Sequence, residues 1–151
     1  MTIRSLSIVT SASTITPQAT VMEALQIMID NRTNHVPVCD GECYVGLISV
    51  NDILQKLLPI GVWAPHGLPD LKFAGDASRL LVSHFSLLRE KKVSEILNHA
   101  RPLEENCPLL EAALLLSSSP TPLPVVNSSG KLLGMLSRRG LLEQLAKMAE
   151  K

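Results

Sequence analysis

Aromatic side chains are almost missing from this 151-residue chain, which has one Trp, one Tyr and two Phe. A core must therefore be aliphatic, and the 46% hydrophobic content supplies Leu, Val, Ile and Met in sufficient number. No sign of charge prevails, because 14 Lys and Arg face 14 Asp and Glu. The one basic cluster, "REKK" at 89–92, is short and contains an acid. Nucleic acid is disfavoured as a partner, since affinity for a phosphate backbone needs clustered Lys and Arg. Cysteine is scarce and odd in number, at three, which argues against a disulfide framework and suits a reducing cytoplasm. No apolar run approaches the ~18 residues of a bilayer span. The opening "MTIRSLSIVTSAST" lacks the apolar core of a signal peptide. A cytoplasmic protein with no membrane partner is expected.

Catalytic and metal signatures are equally sparse. Neither Gly-x-Gly-x-x-Gly nor a Walker A sequence occurs. His35, Cys39 and Cys43 fall four apart, but zinc wants four ligands at known spacings, and Cys107 is far away. Cys39 ends one apolar stretch and Cys43 begins another, which reads as core cysteine. Ser49, His35 and Asp52 make a triad only on paper, because Ser49 and Asp52 share one helical turn and no strained nucleophile elbow is present. No catalytic residue and no metal ligand is assigned, and an enzyme is not expected.

What the chain does have is one unit written twice. Shifted by 88, "TVMEALQIM" (20–28) falls on "PLLEAALLL" (108–116), and "GLISVNDIL" (46–54) on "GMLSRRGLL" (134–142). "HVPVCD" (35–40) meets "PLPVVN" (122–127) after a one-residue slip, and "IRSLSI" corresponds loosely to "KVSEIL". Each unit has the same grammar: an extended stretch, a helix, a strand, a turn, a second strand and an amphipathic helix. Thr20 and Glu23 make a capping box for the first helix, and Pro108 suits the first turn of its counterpart. This is an α/β unit of under about 60 residues, too small to bury much alone, so two units must share a core. The division is 1–58, a linker at 59–91, and 92–151. The linker pairs a Pro- and Gly-rich loop carrying Trp63 with an amphipathic helix over 76–92, whose Leu80, Leu81, His84, Leu87 and Leu88 share a face. It reads as an ordinary linker, or as a lid or dimer contact.

Chemistry concentrates where the second strand of each unit becomes a helix. In "GLISVNDIL" the Ser49 hydroxyl lies beside the free N–H groups of a first helical turn, which attract anions. Asp52 lies on the same side, and a carboxylate can accept both hydroxyls of a ribose diol. Gly46 would let a ligand approach the strand closely. The same tetrapeptide is also a plain capping box that needs no ligand. The second copy keeps Ser137 but has Gly140 in the place of the acid.

Taken together, "TITP", "ATVMEALQIM", "HVPVCD", "YVGLISVNDIL", "LPVVN" and "KLLGMLSRRGLL" resemble a pair of CBS motifs, the tandem called a Bateman module. The resemblance covers nearly everything except the linker. It implies two motifs, each a small three-stranded sheet with flanking helices, packed about a pseudo-twofold axis with clefts between them. It implies a regulatory nucleotide (AMP, ADP or ATP, with S-adenosylmethionine not excluded) and no catalytic cofactor. Ser49 and Asp52 would take phosphate and ribose; Thr14, Thr16, His35, Val36 and Pro37 would line the same pocket, with Thr16 and Val36 against adenine. His35 holds a place where relatives often offer a basic group to phosphate, and it also reads as a turn histidine. Ser137, Arg138 and Arg139 would form a second site or lend charge to the first, although Glu104 in the place of Thr16 opposes an anion. The resemblance also implies a homodimer and a sensor acting on a separate effector protein. The alternative is a dimeric scaffold that binds no ligand.

Overall fold

The computed structural model describes residues 1–6, 9–58 and 74–150. The first repeat comprises α1 (Ile3–Leu6), α2 (Val21–Asn31), β1 (His35–Asp40), β2 (Cys43–Ser49) and α3 (Val50–Leu57). A helix α4 (Ala74–Leu88) follows. The second repeat has a 3-10 turn at Val93–Glu95, then β3 (Leu103–Glu104), α5 (Leu109–Ser117), β4 (Leu123–Val126), β5 (Leu132–Leu136) and α6 (Arg138–Ala149). Local chemistry sets these bounds. The Thr20 hydroxyl accepts from Glu23 N–H at 3.1 Å while the Glu23 carboxylate accepts from Thr20 N–H at 3.0 Å, the reciprocal box expected for α2. Gly41 and Gly130 supply the positive φ, 64° and 82°, that the two hairpin turns require.

The sheets follow the expected grammar with one difference. β3 runs parallel to β4, and β4 antiparallel to β5, giving three strands in the second repeat. In the first repeat β1 and β2 pair antiparallel, but the third member is reduced to one bridge, Ile15 to Val38. It is held by Ile15 N–H to Pro37 O at 3.1 Å and Cys39 N–H to Ile15 O at 2.9 Å.

The leading segments cross between repeats. Thr10 exchanges N–H···O bonds with Met135 of β5, at 3.0 and 2.8 Å. Asn98, its repeat mate, does the same with Leu47 of β2, at 2.8 Å each way. The cores record the exchange: Val93 and Ile96 pack with Val21, Met28 and Ile48, while Ile3 packs with Leu116, Val125 and Leu136. Gly46 and Gly134 make this crossing possible. A Cβ on Gly46 would lie 2.7 Å from the carbonyl oxygen of Asn98, and one on Gly134 would strike that of Thr10. What approaches Gly46 is thus the other repeat's backbone, not a ligand. The hairpin tips also meet, through Tyr44 N–H to Gly130 O at 3.1 Å and Leu132 N–H to Glu42 O at 3.0 Å.

The linker helix departs from expectation. Of its anticipated apolar face only Leu88 is buried, while Leu80, Leu81 and Leu87 are exposed. His84 reaches α3 through Nδ1, 3.2 Å from Leu57 O. Trp63 and its loop lie outside the described residues.

Candidate functional site

Ser49 ends β2 and caps α3. Its Oγ accepts from Asp52 N–H at 3.1 Å, and Asp52 Oδ2 accepts from both Ser49 N–H and Ser49 Oγ at 2.9 Å. Val50 N–H is bonded to Asn34 O at 3.0 Å. Two first-turn N–H groups that an anion was expected to use are therefore committed within the protein. Asp52 Oδ2 takes a third donor, Asn98 Nδ2, at 2.8 Å. Among the described residues, no donor reaches Oδ1. In the second repeat Ser137 Oγ accepts from Gly140 N–H at 2.9 Å, so the cap persists where the acid is gone.

Two cavities flank the crossing segments. The first, about 490 Å³, holds Ser49 and Asp52 and is closed by Asn98, Arg101, Thr121 and Leu123 of the second repeat. The second, about 340 Å³, holds Ser137 and is closed by Thr10, Ser13, Thr33 and His35 of the first. These are one cleft built twice, since Asn98 corresponds to Thr10, Arg101 to Ser13, and Leu115 in the first to Ile27 in the second. Each cleft joins the strand-to-helix turn of one repeat to the leading segment and middle-strand start of the other. At three matched positions the polar groups differ. Asp52, Asn98 and Arg101 face the first cavity, and their counterparts are Gly140, Thr10 and Ser13.

The predicted residues divide accordingly. Ser49 and Asp52 are together in the first cleft. His35, Val36 and Pro37 line the second, with Ser137, and not the pocket of Asp52. Thr14 lines a separate small cavity near the hairpin tips. Thr16 is exposed and lines none of these three. The reason is the crossing: Asn98 to Arg101 take the place beside Asp52 that residues of its own repeat were expected to fill. Arg138 and Arg139 are exposed and line neither cleft. The cation that lines the first cleft together with Asp52 is instead Arg101. Glu104 lies with Glu111 and Cys107 in an adjoining cavity of about 470 Å³ that shares Arg101 and Leu115 with the first cleft.

Burial lowers the His35 imidazole below its ordinary value of 6.5. At neutral pH it carries no charge for a phosphate. Burial raises the Tyr44 hydroxyl, which donates to Ala100 O at 2.7 Å and braces the segment between Asn98 and Arg101. Cys39 and Cys107 are buried, as core cysteines should be, but Cys43 is exposed. Among the described residues no group of His, Cys, Asp and Glu could hold a metal ion, and no helix is long and apolar enough to cross a membrane.

Comparison with known proteins agrees with this architecture. The family model "CBS domain" matches residues 4–59 and 93–147. The chain is 32% identical over 130 residues to CBS domain-containing protein CBSX1, chloroplastic, of Arabidopsis thaliana, covering 82% of this chain and 55% of that protein. It is 36% identical over 45 residues to CBSX3, mitochondrial, of the same organism, covering 30% of this chain and 22% of that protein. The chain therefore spans about half, or less, of these relatives. Among solved structures, a CBS domain-containing protein of unknown function from Bacillus anthracis superposes with a TM-score of 0.74 at 22% identity, over 97% of this chain and 94% of that one. CBSX2 in complex with AMP superposes with a TM-score of 0.70 at 23% identity, over 98% of both chains.

Proposed function

The chain belongs to the CBS-domain family, and from that premise we propose that it is a regulatory module that binds one adenine nucleotide in its first cleft. The observation that carries this reading is the one-sided chemistry of the two clefts. The first gathers the Asp52 carboxylate, the Asn98 amide and the Arg101 guanidinium around about 490 Å³, where the repeat relation gives Gly140, Thr10 and Ser13 for the second; the second cleft's own polar side chains, Asn31, His35 and several hydroxyls, carry no charge. Asp52 takes the ribose and Arg101 the phosphate, a guanidinium being suited to two phosphate oxygens at once. Ser49 holds Asp52 in place rather than serving as the main phosphate contact. The AMP complex of CBSX2, which shares this fold, favours an adenine nucleotide as the ligand. The ligand is bound and not turned over, and the output passes to a separate effector protein, most simply from a homodimer. The free cysteines suit a reducing compartment such as the cytoplasm.

A thermal-shift screen with AMP, ADP, ATP and S-adenosylmethionine tests this. A ligand present at 100 times its dissociation constant adds about 2.7 kcal/mol of stability and raises Tm by several degrees. No shift with any of them favours the ligand-free scaffold, and consumption of the ligand points to an enzyme.

A further inference from the structure

Asp52 is held by a residue that no local motif includes. Asn98, 46 positions away, donates its Nδ2–H to Asp52 Oδ2 at 2.8 Å. Asn98 is itself fixed from both ends. Its backbone N–H and carbonyl pair with Leu47 at 2.8 Å each, and its Oδ1 accepts from Ala100 N–H at 3.1 Å. Because Oδ1 answers a backbone N–H, the amide end must face the carboxylate, so the orientation of the side chain follows from its partners.

Resting on the nucleotide reading above, we propose that Asn98 is a positioning residue for ribose recognition, holding Asp52 Oδ2 so that Oδ1 is the oxygen offered to a ligand hydroxyl. Oδ2 receives three donors, from Ser49 N–H, Ser49 Oγ and Asn98 Nδ2. A carboxylate has about four lone-pair sites over its two oxygens, so Oδ2 has no capacity left. The diol is therefore gripped through one oxygen and not across both. The second cleft lacks both members of the pair together. Thr10 stands where Asn98 does and turns its hydroxyl to Met135 O at 3.3 Å, and Gly140 stands where Asp52 does. An amide that would have no carboxylate to hold is replaced along with it.

Calorimetric titration of the full chain with AMP, 2′-deoxy-AMP and 3′-deoxy-AMP tests the assignment. The parent should bind AMP at least about tenfold tighter than one of the deoxy analogues. Asn98→Ala should weaken AMP by about tenfold and leave that analogue nearly unchanged, so that the preference for the hydroxyl disappears. Asn98→Asp keeps the acceptor for Ala100 N–H but sets a second carboxylate against Asp52. Relative to the parent at each pH, its loss should be larger at about pH 7.5 than at about pH 5.5, where the introduced carboxyl gains a proton and can donate. If Asn98→Ala weakens all three nucleotides equally, Asn98 only supports the fold and the assignment is wrong. If the parent binds AMP and Asn98→Ala leaves it unchanged, this assignment alone fails. If the parent binds no nucleotide, the functional reading fails and takes this one with it.

Discussion

Ser49 is the one buried polar side chain among the described residues, at 5% exposure, and its hydroxyl both accepts from Asp52 N–H and donates to Asp52 Oδ2. That reciprocity was legible in the sequence because it is local: Ser-x-x-Asp before an apolar run is a capping signal. Asn98 and Arg101 were not legible, since neither belongs to the motif and only the crossing of segments brings them to the cleft of Asp52. The asymmetry between Asp52 and Gly140 was legible, and the amide and guanidinium that accompany it extend the same contrast. Asp52→Asn keeps an acceptor for the cap and removes the charge, so nucleotide affinity should fall about ten- to a hundredfold with little loss of stability; isothermal titration and urea denaturation measure the two. His35 gives a pH prediction. Its folded value lies below its unfolded one, so the unfolded chain takes up the proton first as pH falls. Stability from this group is intact above about 6.5 and declines below it. The urea midpoint should therefore drop between about pH 7.5 and pH 5.5, and His35→Gln should shrink that drop. An equal drop in the variant would show that other groups cause it.

Strands and helices were mostly readable from caps, turn glycines and period, and α2, β1, β2 and α3 of the first repeat follow that reading. The route of the leading segments was not. The leading segments are alike in sequence, and likeness cannot say which strand Thr10 and Asn98 will pair with. The glycines carried the missing information, because Gly46 and Gly134 occupy equivalent positions and each faces a crossing backbone. Gly46→Ala should therefore cost about 1–3 kcal/mol, as overpacking does, because a carbonyl oxygen 2.7 Å from the new Cβ cannot rotate aside. Denaturant unfolding measures it, and an unchanged midpoint would mean that the segments separate easily. The linker helix shows the limit of periodicity as evidence. An apolar face was visible in α4, but burial depends on a partner surface, and among the described residues Leu80, Leu81 and Leu87 stay exposed.

The two repeats are joined by exchanged edges into one body with two related clefts. The same repeat relation leaves apolar side chains outward on the closing helices, Val50 and Leu54 on α3, and Leu142 and Leu145 on α6. A second copy covering these faces would bury them, so light scattering at micromolar concentration should give twice the chain mass. A monomer mass would contradict the dimer. Binding stoichiometry tells whether one cleft or both take a nucleotide. Isothermal titration of the parent chain with AMP should give one tight site per chain, largely lost in Asp52→Asn and retained in Ser137→Ala. Two equal sites per chain, or affinity unchanged in Asp52→Asn, would contradict binding in the first cleft alone.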